Sequence, residues 1–422
     1  MGMLGFSRSL RRRSVLAGSI GLLASPSIVR AQASTGVALV IGNSKYKWEA
    51  SLPNVKRDVT EIARRLQAYG LKTELLEDAG RDAMKRAVDK LAAASRGANL
   101  SAFYFAGHGV NDERALTYLV PVDVELSSPS AIKDLIPNSS VRDATREAAN
   151  RLFLLDNCRN SPAEGWRQRS AADRGLSLSA RGGGPAGERD NMLMLQSTVP
   201  GRIALDGAAG QFSPFAATLL RQLNGEAVDF QAWAGKARRD LLMATEARQF
   251  LWEWNTYEQR SFVLNGPGRI PGAQGAAAGW AKDPSRIIEV PQAYAFARQQ
   301  GLPLPEGLIA HRPTSGSRDG RKVGTFRFDG VDKAPSLLVV MSVEERRGAE
   351  LVLVSRAGGK GYWKVVSGTV SDEGIEFLGR ERGVRYFFKW RGDDGGGVTM
   401  FPSEEAGVNG RPQSSSFARL DS

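Results

Sequence analysis

From residue 36 the chain alternates short apolar runs with stretches of helical period. Val37-Ala38-Leu39-Val40-Ile41 is a β-branched run that stops at Gly42-Asn43, the pattern of a buried strand. From Asp58 to Tyr69, apolar Val59, Ile62, Ala63 and Leu66 fall on one helical face, and Gly70 supplies the stop. Leu71 to Leu76 predicts a second strand, and residues 82–95 a second helix with Ala83, Ala87, Val88 and Leu91 on one side. Ala102 to Phe105 predicts a third strand, Leu116 to Val120 a short one, Val141 to Ala149 a helix, and Leu152 to Leu155 a fourth buried strand. Met192 to Ser197 (strand), Ser213 to Leu223 (helix, Pro214 first), Phe230 to Thr245 (helix) and Arg260 to Leu264 (strand) continue the series. Such alternation predicts an α/β domain whose central, mostly parallel sheet is flanked by helices.

Two stretches break the rhythm. Residues 159–190 hold Arg159, Arg167, Arg169, Arg174, Arg181, Arg189 and Gly182-Gly183-Gly184-Pro185, with almost no hydrophobic period; a stretch this long without structure inside a domain is expected to be functional or mobile. Residues 265–280 are rich in Gly, Pro and Ala and read as a linker, with a helix expected from Ile287 to Gln300. From about 318 short runs recur at Thr325–Phe328, Leu337–Met341, Leu351–Val354, Tyr362–Val366, Ile375–Leu378 and Val384–Trp390, separated by Gly and Asp turns, which predicts a small all-β domain. The polar, Ser-rich last dozen residues are expected to fray, and His311 to be a solvated loop residue. The expected partition is therefore 1–33, 34–266, a linker at 267–317 with one helix, and 318–422.

Composition sharpens this in three places. The 422 residues are enough for two or three domains, and 42% apolar with 24% charged residues is a globular balance. The net charge is +12, but Arg8, Arg11, Arg12, Arg13 and Arg30 in the first 33 residues carry 5 of it, so the rest is too mildly basic to indicate a nucleic-acid binder. That N-terminal stretch runs from the arginines into an apolar segment ending near Leu23, then Pro26 and Ala31-Gln32-Ala33, the plan of an export signal. Arg12-Arg13-Ser14-Val15-Leu16 resembles a twin-arginine signal, with Arg11 where Ser or Thr is common. An uncleaved anchor is the alternative, opposed by Gly18, Gly21 and Pro26 inside a run shorter than about 20 residues. No later segment is apolar enough to span a bilayer. The expected location is periplasmic or secreted, in a bacterium.

The rare residues sit at two strand ends. The third strand runs into Ala106-Gly107-His108-Gly109, and the fourth into Asp156-Asn157-Cys158-Arg159; Cys158 is the only cysteine and His108 one of two histidines. Loops at the carboxyl ends of parallel strands are where such sheets carry function. A Cys near a His becomes a nucleophilic thiolate, and the His then serves as acid to the leaving amine. The backbone N–H groups of Gly109 and Cys158 are candidate oxyanion donors. With a single Cys, neither an intramolecular disulfide nor a multi-Cys zinc site is open.

Phe105-Ala106-Gly107-His108-Gly109 and Leu155-Asp156-Asn157-Cys158-Arg159-Asn160 resemble the His and Cys motifs of caspase-family peptidases, in the bacterial metacaspase-like branch. Val40-Ile41-Gly42-Asn43-Ser44-Lys45-Tyr46, Leu52-Pro53-Asn54-Val55-Lys56-Arg57-Asp58-Val59, Tyr118-Leu119-Val120-Pro121-Val122-Asp123, Asp206-Gly207 and Phe212-Ser213-Pro214-Phe215 extend the likeness in order over about residues 35–266, as does Gln249 to Glu253, with Leu251 where Pro is common. The resemblance implies a caspase-like sandwich, His108 and Cys158 as the catalytic pair, and Asp156, with Asp58, as acids of a pocket for a basic P1 side chain. It implies cleavage of peptide or protein substrates after Arg or Lys. Residues 159–190 take the place of the inter-subunit linker, with Arg174 and Arg181 as candidate self-cleavage points. Asn157 and Asn160 depart from the small or acidic residues often found beside the Cys.

No cofactor or metal is expected; a calcium requirement stays open, Asp393-Asp394 reading better as a hairpin turn than as a calcium loop. The arginines of 159–190 lack the interleaved aromatics of a nucleic-acid site. Plainer roles remain for each residue: Cys158 as a small buried hydrophobe, Asp156 as a turn cap, Asp58 as a helix first-turn acid, Trp252 and Trp254 as core. The rivals to the peptidase are a non-catalytic caspase-like scaffold that binds or senses through its β domain, and a Cys hydrolase of esters or amides. The partner of the β domain is not indicated.

Overall fold

A computed structural model of the chain describes residues 36–111, 116–157, 191–199, 202, 204–257, 262–268, 284–313, 322–330, 333–344, 348–357, 359–378, 384–391, 395–401 and 412–420. The expected export signal and the 159–190 segment lie outside the described residues.

Strands β1 (Gly36–Gly42), β2 (Leu71–Glu77) and β3 (Leu100–Gly107) alternate with helices α1 (Val55–Ala68) and α2 (Arg81–Ser95). A small three-stranded sheet follows, made of β4 (Gly109–Asn111), β5 (Thr117–Leu119) and β6 (Ile136–Pro137), then α3 (Asn138–Ala144), β7 (Arg151–Asn157) and β8 (Met192–Gln196). Helix α4 (Pro214–Gln222), strand β9 (Val228–Asp229), helix α5 (Phe230–Ala244) and strands β10 (Trp252–Asn255) and β11 (Val263–Leu264) complete this part. The main sheet has the order β10-β8-β7-β3-β1-β2 and is parallel except for β10. This is the α/β core, a mostly parallel sheet flanked by helices, that the sequence predicts.

The period of two in each strand sorts the side chains onto two faces. Val40, Tyr104, Leu154 and Leu195 bury against α1, α4 and α5, while Ile41, Phe105, Phe153 and Met194 bury against α2 and α3. Continuous burial of β3 and β7 follows from both faces being covered. Helix starts are built locally: Ser213 caps α4 by accepting from Ala216 N–H, with Pro214 at the first turn, and Asp229 caps α5 through Gln231 and Ala232 N–H.

Beyond this core, β12 (Ile287–Glu289) pairs with β13 (Ile309–His311) around α6 (Pro291–Gln299). The expected helix is thus shorter at its start, where Pro291 supplies a first-turn proline. His311, expected in solvent, is buried at 6% exposure in β13. The C-terminal region is all β, a closed eight-stranded barrel of β14 (Gly324–Asp329), β15 (Pro335–Glu344), β16 (Gly348–Ala357), β17 (Lys360–Val370), β18 (Gly374–Leu378), β19 (Arg385–Trp390), β20 (Gly395–Phe401) and β21 (Gln413–Arg419). The Ser-rich end expected to fray is strand β21 instead, which pairs with both β20 and β14 and closes the barrel. Closure satisfies an edge that its own sequence would not mark.

The barrel packs on the α/β part through one shared core. Val199, Leu242 and Phe250 join Ala293, Ile309, Val339, Val352 and Trp363, and the Phe250 and Trp363 rings lie 6.0 Å apart. Among the described residues, no helix is long and apolar enough to cross a membrane.

Candidate active site

The carboxyl ends of β1, β3 and β7 form one rim, because β3 pairs with β1 on one side and β7 on the other. The register sets Gly107 opposite Asn157 and Ala106 opposite Asp156. His108 follows Gly107 directly, and Cys158 follows Asn157 directly. Cys158, Arg174 and Arg181 lie outside the described residues.

His108 is held on three sides. Its backbone N–H donates to the Tyr46 hydroxyl at 2.7 Å, and the two rings lie 4.5 Å apart. Its Nε2 lies 2.7 Å from the Ala50 carbonyl oxygen. A carbonyl can only accept, so Nε2 carries the hydrogen, and in the neutral ring Nδ1 keeps the lone pair. Gly107 is needed here for room: a Cβ on it would lie 2.6 Å from the Tyr46 hydroxyl and 2.9 Å from the Phe105 ring. Trp48, on the same loop as Ala50, is 53% exposed, with Lys47 over its ring. Gly109 begins β4 and pairs with Leu119 of β5.

Asn43 fixes the first strand end. Fully buried, it donates to Val120 carbonyl at 2.9 Å and accepts from Ala79 N–H at 2.9 Å. Its own N–H donates to Ala106 carbonyl, tying β1 to the turn before His108. These bonds stitch three loops to one rim and leave little backbone freedom there.

On the α1 side of the rim the acids converge. Asp156 points to the face that carries Leu152 and Leu154, and Asp58 lies in the first turn of α1. Ser213 joins them: its hydroxyl donates to Asp156 Oδ2 at 2.5 Å, and its N–H donates to Asp58 Oδ1 at 3.2 Å. Both carboxyls are buried, and Asp58 Oδ2 has no hydrogen-bond partner among the described residues. Burial pushes Asp156 up to about 7, against the Ser213 and Ser197 hydroxyls. Burial also holds Asp58 well above the usual carboxylate range, with the charge of Asp156 adding to it. Asp206, half-buried, is likewise raised by burial, against an Asn54 N–H and His108. Asn54 Nδ2 binds the carbonyls of Asp206 and Ala208 at 2.8 and 3.0 Å, and its Oδ1 accepts from Gly210 N–H at 2.9 Å.

The structure therefore brings Asp58 and Asp156 together on Ser213, and Asp206 is the acid that interacts with His108. Asp206, Ser213, Tyr46 and the Ala50 carbonyl are site groups that the sequence did not single out. Asp206-Gly207 and Phe212-Ser213 stood within matching strings, but only the fold shows them facing residues up to about 150 positions away in sequence. A cluster of raised carboxyls with one unpartnered oxygen is a receptor suited to a cation, whose charge would return the acids to their ionised form. No group of three or more metal-type ligands is present among the described residues.

A family model described as peptidase C14, caspase domain, matches residues 35–262, more than half of the chain. Among solved structures, caspase-1 from Spodoptera frugiperda is similar at 14% identity and a TM-score of 0.41, covering 56% of this chain and 91% of that one. No curated protein matches the sequence.

Proposed function

The chain belongs to the caspase-domain family of cysteine peptidases, which act on proteins, and from that premise we propose an endopeptidase of the bacterial metacaspase-like branch that cuts after Arg or Lys through Cys158 and His108. The observation that supports the pair is the register of β3 against β7, in which Gly107 faces Asn157. The next residue along each strand is His108 and Cys158 respectively.

The chemistry follows from the proton inventory. His108 Nδ1, which keeps its lone pair while Nε2–H donates to the Ala50 carbonyl, takes the thiol proton of Cys158. The thiolate attacks the scissile carbonyl carbon, and the C=O electron pair moves onto oxygen. Backbone N–H groups of Gly109 and Cys158 would stabilise that oxyanion. Collapse breaks the C–N bond as imidazolium gives its proton to the leaving amine. Water, deprotonated by His108, then hydrolyses the thioester and restores the thiol.

The basic preference rests on the acids. Asp58 and Asp156, with Asp206 at the edge, would pair with the guanidinium or ammonium of P1. The same specificity turned on the chain's own Arg174 or Arg181 would give self-processing, and the N-terminal arginines and apolar run support export. The test is hydrolysis of a fluorogenic peptide ending in Arg against the same peptide ending in Leu or Asp, in reductant, with and without calcium, and with Cys158→Ser as control. Turnover confined to the Arg peptide and lost in the variant is expected. No turnover of any of them under either condition would favour a binding scaffold. Intact mass of the active wild type beside Cys158→Ala reads self-processing.

A further inference from the structure

One strap of chain joins the acidic cluster to the barrel. It leaves β8 at Ser197, whose hydroxyl faces Asp156, and reaches Ser213 at the head of α4. Three anchors hold it between those points. Val199 is buried in the core shared with the barrel. The Arg202 guanidinium grips Glu350 of β16 with two parallel bonds, Nη1 to Oε1 at 2.9 Å and Nη2 to Oε2 at 3.0 Å. Buried Gln249 spans the strap, donating to Ser197 carbonyl at 2.8 Å and accepting from Leu205 N–H at 3.1 Å. Asp206 follows Leu205 immediately, so Arg202 stands four residues before an acid of the pocket.

We propose that Glu350 is a positioning residue for the acidic pocket: through Arg202 the barrel sets the strap that carries Asp206 and Ser213, so the barrel belongs to the substrate-recognition machinery. The kinetic part rests on the basic-P1 reading; the structural part does not. A bidentate guanidinium–carboxylate pair fixes direction as well as distance, which a single ion pair does not. The pair is half-buried, with 33% and 22% of the two side chains exposed, so solvent screens it only in part. Four residues span at most about 14 Å when extended, which leaves little slack between Arg202 and Asp206. The shared apolar core docks the barrel without this pair, so its loss should loosen the strap and leave the barrel in place.

Glu350→Gln, Arg202→Gln and the exchanged double variant Arg202→Glu/Glu350→Arg test this in the full chain. Amide hydrogen exchange is read over 204–213, and KM and kcat are read with Arg and Leu peptides. Each single variant should speed exchange there by roughly tenfold and raise KM for the Arg peptide about five- to tenfold, with kcat within about twofold. The exchanged pair should restore both to within about twofold of wild type. Unchanged exchange in the single variants overturns the proposal, as does faster exchange that the exchanged pair does not repair. If wild type shows no turnover of the Arg peptide, the basic-P1 reading falls while exchange still decides the strap.

Discussion

In the α/β sheet, buried polar groups crowd one rim, where Asn43, Asn54, Asp58, Asp156 and Ser213 are all buried. The barrel interior is built differently. Phe326, Phe388, Trp390 and Phe417 pack edge to face or tilted at 4.9–6.3 Å, and Phe377 stacks on Tyr386 at 5.2 Å. Ser336 and Ser355, buried in the barrel wall, face each other at 2.8 Å. The rim instead gathers carboxyls: Asp58 Oδ2 has no hydrogen-bond partner among the described residues, and burial raises both acids. One region buries mainly aromatic surface, and the other carries an electrostatic cost that a bound proton relieves and that the cationic P1 group proposed above would relieve as well.

Five substitutions would break or sharpen that contrast. Cys158→Ala and His108→Ala should each lower peptide hydrolysis by about a thousandfold or more, with the denaturation midpoint nearly unchanged. Phe388→Ala should do the reverse in kind, costing about 3–5 kcal/mol of stability through the cavity it leaves, read by denaturant unfolding. The contrast fails if the barrel variant leaves stability intact or the rim variants unfold the protein.

Asp156→Asn separates the two properties within one residue. The folded carboxyl is raised from 3.8 to about 7, so between those values the folded state holds a proton that the unfolded chain releases. Its favourable contribution is present below the unfolded value and is lost as pH rises through about 7. Asp156→Asn should therefore raise the melting temperature at pH 8, by an amount that shrinks towards pH 4, while Arg-peptide cleavage falls by about a hundredfold. A melting temperature lowered equally at both pH values would contradict the assignment. In wild type, KM for the Arg peptide should climb as pH drops below about 7, up to about tenfold per unit, and KM for a neutral peptide should not.

Ser213→Ala is the smallest effect. It removes a helix cap and the hydroxyl on Asp156, costing about 1 kcal/mol, and should shift the KM break to higher pH. An unmoved break would show that Ser213 serves the helix alone.

Much of the α/β part was legible because its strands are unbroken apolar runs and its helices carry one-sided stripes; β1, β3 and β7 lie where Val37–Ile41, Ala102–Phe105 and Leu152–Leu155 predicted them. The barrel strands up to Trp390 were legible for the same reason. β20 and β21 were not, because Gly395-Gly396-Gly397 and Gln413-Ser414-Ser415-Ser416 carry no strand pattern, and their order comes from closing the barrel. His311 was misjudged because proline neighbours suggest a loop, while pairing with Ile287 and packing against the barrel bury it. At the site, rarity drew attention to His108 and motif position to Asp58 and Asp156, and the structure joins the two acids through Ser213. Ser213, Asp206, Gln249 and the Ala50 carbonyl are common groups whose role is tertiary, and no local spacing marks them.

The pairing of sulfur and imidazole across two adjacent strand ends is most directly tested by the pH dependence of iodoacetamide alkylation, read by intact mass in wild type and His108→Ala. Cys158 is the only thiol in the chain, so the signal has one source. Wild type should react along a thiolate curve centred well below the ordinary value of about 8.5, and His108→Ala should return the curve to it. Superimposable curves for the two proteins would contradict the account.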